Sequence, residues 1–207
     1  MKSVTGRWWP IAVSLCWLLA VGTGLGVLVN YSNTAGRDGM APVRWPAQSK
    51  IPHVAGEPAL VMFVHPRCPC TRASVGELAG LMAHCQGLVS AHVVFFHPGD
   101  SGEQWSHSDL WLAATAIPGV SVLSDEDGRE ARLFHGETSG HTILYDGQGR
   151  LLFDGGITAS RGHYGDNAGY DAINALLHGK TTQQAMTPVY GCPILERGSK
   201  PSGGTSS

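Results

Sequence analysis

The feature that most constrains this chain is a six-residue apolar run, Ala59-Leu-Val-Met-Phe-Val64, which leads through His65-Pro-Arg into Cys68-Pro69-Cys70. A continuous apolar run of that length reads as a strand buried on both faces, the kind found in parallel sheets covered by helices. Val75, Leu78, Ala79 and Met82 then follow at helical spacing from an opening near Thr71, and Gly87 ends that helix. Residues 89–96 are a second apolar run, so the three pieces form a βαβ unit with parallel strands. The two cysteines stand where strand turns into helix. Unpaired backbone N–H groups at the positive end of a helix favour thiolate over thiol, so this placement points to redox or metal chemistry.

Further elements follow in order. Residues 109–117 read as a short helix stopped by Pro118-Gly119, residues 120–123 as a short strand, and residues 127–135 as a helical turn or two. Residues 142–145 and 150–153, joined by Asp146-Gly-Gln-Gly149, form the clearest hairpin signal. Tyr170, Ile173, Asn174 and Leu177 fall on one face of a last helix, with Asp166 or Asn167 as its N-cap and Gly179 beyond its end. A βαβ unit, a further crossover, an antiparallel hairpin and a closing helix predict an α/β domain over 57–180, built on a central mixed sheet with flanking helices.

Residues 8–31 carry no charge and are long enough to cross a bilayer core. Trp8, Trp9 and Tyr31 bracket the segment as interfacial aromatics, and Lys2 and Arg7 precede it. The positive-inside rule then keeps the N-terminus cytoplasmic and puts the domain in the periplasm or exterior, with 1–31 as a single-pass anchor. A cleaved signal peptide is the competing reading, since Gly22-Thr-Gly24 supplies small residues. Residues 32–56, with Pro42, Pro46, Pro52 and several glycines, read as a solvated tether with one stray tryptophan, Trp45. Residues 181–207 read as a tail, Gly/Ser-rich from 198 onward, interrupted by the apolar island Val189-Tyr-Gly-Cys-Pro-Ile194. A formal net charge of −2 and 14% charged residues give no basic field, so nucleic acid is not an expected partner.

Two stretches carry a family likeness. Leu60-Val-Met-Phe-Val-His-Pro-Arg-Cys68-Pro-Cys-Thr71 resembles the strand and active-site turn of the thioredoxin-like superfamily. Residues 124–135 followed by 142–153 are similar to the second half of its membrane-anchored periplasmic members. More narrowly, His65-Pro-Arg-Cys-Pro-Cys-Thr-Arg72, the loop 155–167 and Pro188-Val-Tyr-Gly-Cys192-Pro resemble RedB-type proteins, over residues 57–194. The resemblance implies a thioredoxin-like fold and a thiol–disulfide oxidoreductase with protein thiols or disulfides as partners. Two departures stand out. One residue separates the cysteines where two are usual, which puts Thr71 in the resolving cysteine's place. The cis-proline that normally precedes the hairpin strand is missing from Ser139-Gly-His-Thr142, so Gly140 or His141 takes its position.

Of five cysteines, Cys16 lies in the apolar segment and Cys85 reads as a small, partly buried hydrophobe at the end of the first domain helix. The expected oxidoreductase works through Cys68 with Cys70, and Cys192 is a further catalytic candidate. Cys68 reads as the attacking thiolate, assisted by His65 or Arg67. Cα atoms two residues apart are about 5.5 to 7 Å from each other, so resolution by Cys70 closes a strained ring, and Cys192 is the other candidate. The competing chemistry is copper delivery by a metallochaperone or assembly factor, with His65, Cys68, Cys70 and His141 as soft donors for Cu(I). Copper-assembly relatives in the same superfamily use three intervening residues instead of one. His163 reads as part of a structural loop, and Glu77, Asp100 and Glu103 as solvated charges.

Overall fold

The computed structural model describes residues 8–37, 39–102, 105 and 107–195. Lys2, Arg7, Glu103 and residues 198–207, on which parts of the sequence reading rest, lie outside those residues. The chain divides into two compact units, Met1–Thr34 and Ala35–Ser207. The first is helix α1, Trp9–Asn33, with Pro10 in its first turn and none of its residues buried. At 1.5 Å per residue its 25 residues span about 37 Å, enough for a hydrocarbon core of about 30 Å. It is the one helix among the described residues long and apolar enough to cross a membrane, and a signal sequence has the same character.

The second unit is built on five strands in the order β3-β2-β1-β4-β5. Strands β1 (Ala59–Val64), β2 (Ser90–His97) and β3 (Val120–Glu126) are parallel, with helices α2 (Thr71–His84) and α3 (Asp109–Thr115) as the crossovers. Helix α4 (Arg129–Leu133) then leads to the antiparallel hairpin β4 (His141–Tyr145) and β5 (Leu151–Gly156), and α5 (Ala168–Leu177) closes the domain. All six residues of β1 are buried, because the strand is central and both faces of the sheet are covered. Leu60, Met62 and Val64 pack with Leu78, Leu81 and Ile173 on one face. Val61 and Phe63 pack with Ile143, Tyr145 and Phe134 on the other.

The hairpin turns at 146–149, where the Asp146 carboxylate accepts the Gln148 and Arg150 N–H groups and Gly149 takes φ +69°. Asn167, not Asp166, caps α5 by accepting the Tyr170 N–H at 2.8 Å.

The tether reading of 32–56 does not hold. Ala41 and Ile51 are buried, Trp45 sits edge-on to Phe134 and Tyr145 at 5.0 and 5.2 Å, and the Tyr145 hydroxyl donates to the Pro42 carbonyl. The physical reason is coverage. Helix α4 has five residues and cannot shield the Val61, Phe63, Ile143 and Tyr145 face alone, so the preceding segment completes the layer.

Candidate functional site

The turn that follows β1 is held by local hydrogen bonds, Cys68 N–H to His65 O at 3.0 Å and Thr71 N–H to Cys68 O at 3.3 Å. Cys68 therefore precedes the first turn of α2. It is only 1% exposed, whereas Cys70 is half-buried at the helix N-cap position.

What covers Cys68 is the tail. Thr138 and Pro193 form an antiparallel bridge, flanked by Ser139 N–H to Cys192 O at 2.8 Å and Ile194 N–H to Glu137 O at 2.9 Å. The Cys192 N–H then points at the Cys68 sulfur, 3.4 Å away. Val189 and Ile194 are 3% and 2% exposed, so the apolar island is anchored at both ends around a half-buried Cys192. Gly191 is required at the crossing, because a Cβ there would lie 1.9 Å from the Ser139 carbonyl oxygen. Arg161, from the loop between β5 and α5, donates to the Gly191 carbonyl and to the Cys70 sulfur.

These contacts make the three thiols unequal. Burial pushes the Cys68 thiol up, but hydrogen bonds from the Thr71 hydroxyl, the Cys192 N–H and the Cys192 thiol outweigh it, and Cys68 titrates below the ordinary cysteine value. Cys192 is the counterpart, pushed up to about 12 by burial and by donating its proton to Cys68. Burial and the neighbouring Cys68 charge also raise Cys70, against the pull of Arg161. In the reduced protein the Cys192 thiol thus keeps its proton and points it at the Cys68 sulfur, which favours the thiolate form of Cys68.

The metal-donor set does not gather. His141 is buried on the sheet face opposite α2, where its Nε2 bonds to Asp154, whose other oxygen accepts the Ala41 N–H. His65 accepts the Arg67 N–H on Nδ1 at 3.3 Å, and its ring packs against Phe96 and Trp105. Among the described residues no three His, Cys, Asp or Glu side chains form a group that holds a metal ion. Gly140, just before β4, takes φ +92°, and its N–H donates to Phe63 O, a bond that a proline there could not make.

Other side chains take structural places. Glu77 is buried, not solvated, and accepts the Gly165 N–H at 2.6 Å, which ties the loop carrying Arg161 to α2. Asp100 and His163 are exposed. Cys85 is fully buried, its sulfur 3.4 Å from Asn174 Oδ1, and Cys16 lies exposed on α1.

Sequence reasoning misses Ser139 and Arg161 as site residues. Ser139 adjoins Thr71 across 68 positions, and a lone serine before a glycine carries no local signal of that contact. Arg161 sits within a loop motif singled out for its likeness, yet only the folded loop brings it to Cys70.

No family model matches the chain, and no curated protein matches it. Among solved structures, an uncharacterised conserved protein of Geobacillus kaustophilus superposes with a TM-score of 0.61 at 19% identity, over 81% of this chain and 98% of its own. A hypothetical protein of Sinorhizobium meliloti gives 0.53 at 22% identity, over 80% and 96%. The exposed lipoprotein thioredoxin of Streptococcus pneumoniae gives 0.42 at 19% identity, over 60% and 86%. Three parallel strands continued by an antiparallel hairpin, with a thiol turn after the central strand, decide the architecture. By that topology the domain has a thioredoxin-like fold. Within this thioredoxin-like domain the thiol turn lies at the C-terminal end of β1, under the tail strand.

Proposed function

We propose that this chain is an extracytoplasmic thiol–disulfide oxidoreductase, anchored by α1, whose redox pair is Cys68 and Cys192. The observation that carries the reading is the Cys192 N–H on the Cys68 sulfur at 3.4 Å, in a tail segment clamped on both sides by backbone bonds to Glu137 and Ser139. Exposure divides the roles. Cys192 is half-buried and Cys68 nearly inaccessible, so the sulfur that meets a partner is Cys192, and Cys68 is the resolving thiolate instead of the attacking one. The likeness to RedB-type proteins rests on the motifs around Cys68, 155–167 and Cys192, which the fold brings to one place.

The chemistry balances as two-electron exchange. In the oxidised form Cys68 and Cys192 share a disulfide. A partner thiolate attacks the Cys192 sulfur, the Cys68–Cys192 bond breaks, and its electron pair leaves on Cys68 as thiolate. A low-pKa leaving group departs faster, and Cys68 is the depressed thiol. The partner's second thiolate then attacks the partner sulfur of the mixed disulfide, and Cys192 departs and takes up a proton. Reversed, the same steps reduce a partner disulfide, with Cys68 resolving the mixed disulfide on Cys192. Cys70 stays a thiol beside the pair, since a bridge to Cys68 would close the strained ring.

Trapping tests the assignment. Cys68→Ser should accumulate partner mixed disulfides on Cys192, seen as mass-shifted species on non-reducing gels, while Cys192→Ser should accumulate none and lose turnover. Accumulation on Cys68 in the Cys192→Ser variant would reverse the roles.

A further inference from the structure

Ser139 stands where the end of β1, the start of α2 and the tail strand meet. Its Oγ accepts the His65 N–H at 2.8 Å from the end of β1 and lies 2.7 Å from Thr71 Oγ1 at the start of α2. Its own N–H holds the Cys192 carbonyl at 2.8 Å, and the Cys192 N–H in turn reaches the Cys68 sulfur. Ser139 and Thr71 are both fully buried, so no water competes for these hydroxyl groups. A backbone N–H only donates, so Ser139 Oγ accepts from His65, while between the two hydroxyls either can donate, because Ser139 keeps a second lone pair. When Ser139 donates, Thr71 keeps its hydroxyl proton for the Cys68 sulfur.

We propose that Ser139 is a positioning residue for the Cys68–Cys192 exchange: its hydroxyl orients the Thr71 hydroxyl so that Thr71 donates to the Cys68 sulfur. This rests on the redox reading of Cys68 given above. Thr71 occupies the sequence position where the usual motif has its second cysteine, so a hydrogen-bond donor stands where a resolving thiol would otherwise be, and the resolving partner comes from the tail. The low titration of Cys68, to which the Thr71 hydroxyl is the largest favourable contributor, agrees with this. Connected hydroxyls polarise one another, so the donor that Ser139 orients is stronger than a lone threonine.

The titratable and charged groups around Cys68 include Cys70 on its own turn, Cys192 on the tail and, against both of those thiols, Arg161 of the loop between β5 and α5. Across a cleft of about 200 Å³ bounded by Cys68 stand Arg67, Arg72 and Asp109 of α3. The Ser139 hydroxyl is bonded to the His65 N–H and the Thr71 hydroxyl, so a change at 139 acts on Cys68 through Thr71 or through the tail.

The test is the pH profile of Cys68 alkylation in the reduced full-length protein, each cysteine read separately by fragmentation mass spectrometry. Thr71→Val should raise the Cys68 midpoint by about one to two pH units, the worth of a hydrogen bond to a charged group. Thr71→Ser, which keeps the hydroxyl, should restore it. Ser139→Ala should raise it by a smaller amount, and Ser139→Ala combined with Thr71→Val should shift it no further than Thr71→Val alone. Loosening of the tail would also raise the midpoint, since the Cys192 N–H and thiol hydrogen-bond Cys68, but it would raise the plateau rate of fully ionised Cys68 as well, whereas the proposal requires an unchanged plateau. Additive shifts in the double variant, or an unmoved midpoint in Ser139→Ala, overturn the proposal. If Ser139→Ala fails to fold, an unmoved midpoint in Thr71→Val overturns it as well. The midpoint is measured without any disulfide, so failure of the Cys68–Cys192 pairing would be seen separately, as absence of that bridge on oxidation.

Discussion

At the scale of single residues, the account turns on thiols whose environments push them apart: Cys68 down by donated hydrogen bonds, Cys192 up to about 12 by burial and by donation to Cys68. The sequence shows which cysteines stand near a helix start, because that follows from local pattern, but not which thiol donates to which. The latter depends on Thr71, Ser139 and Cys192 meeting across long separations, and spacing is silent about it. A residue remote from the site supplies a pH prediction. Burial holds His92 of β2 below the ordinary histidine value, outweighing help from the Pro52 carbonyl. Between that lowered value and the unfolded value of about 6.5, the unfolded chain binds more protons than the folded one. Stability should therefore fall as pH drops through about 6.5, with a slope approaching about 1.4 kcal/mol per pH unit. Urea midpoints between pH 7 and 5 check this, and His92→Gln should flatten the slope.

At the scale of elements, β1, α2, β2 and the hairpin are legible because each has a clean period and a punctuating glycine or turn. Residues 35–56 are not, because their prolines and glycines look like a tether, while the burial of Ala41 and Ile51 and the packing of half-buried Trp45 are decided by an uncovered sheet face elsewhere. Trp45→Ala should accordingly cost about 3 kcal/mol in chemical denaturation, where a free tether would cost nothing measurable. The tail strand is likewise a tertiary decision, although its apolar island is visible in sequence. Gly191→Ala should lift it, since the added Cβ meets backbone and not a flexible side chain. Burial of Val189 and Ile194 is worth about 1.5 to 3 kcal/mol each. Losing even about 1.4 kcal/mol of that should speed alkylation of the covered Cys68 about tenfold. An unchanged rate would mean that the tail does not limit access.

At the scale of the whole molecule, an apolar helix and a compact thioredoxin-like domain are separate units that divide after Thr34. The fold class is readable from the order of strands and helices, whereas the site is not, because one of its thiols arrives from a tail more than a hundred residues away from the turn. The domain is thus a sheet scaffold whose central strand delivers one cysteine and whose tail segment, residues 189–194, brings the second. That pairing is the central claim, and it is tested most directly by mild oxidation of the full-length protein followed by alkylation and non-reducing peptide mapping. The account predicts a cross-linked peptide in which fragmentation places the bridge between Cys68 and Cys192, with Cys70 alkylated. A bridge confined to Cys68 and Cys70, with Cys192 alkylated, would contradict it.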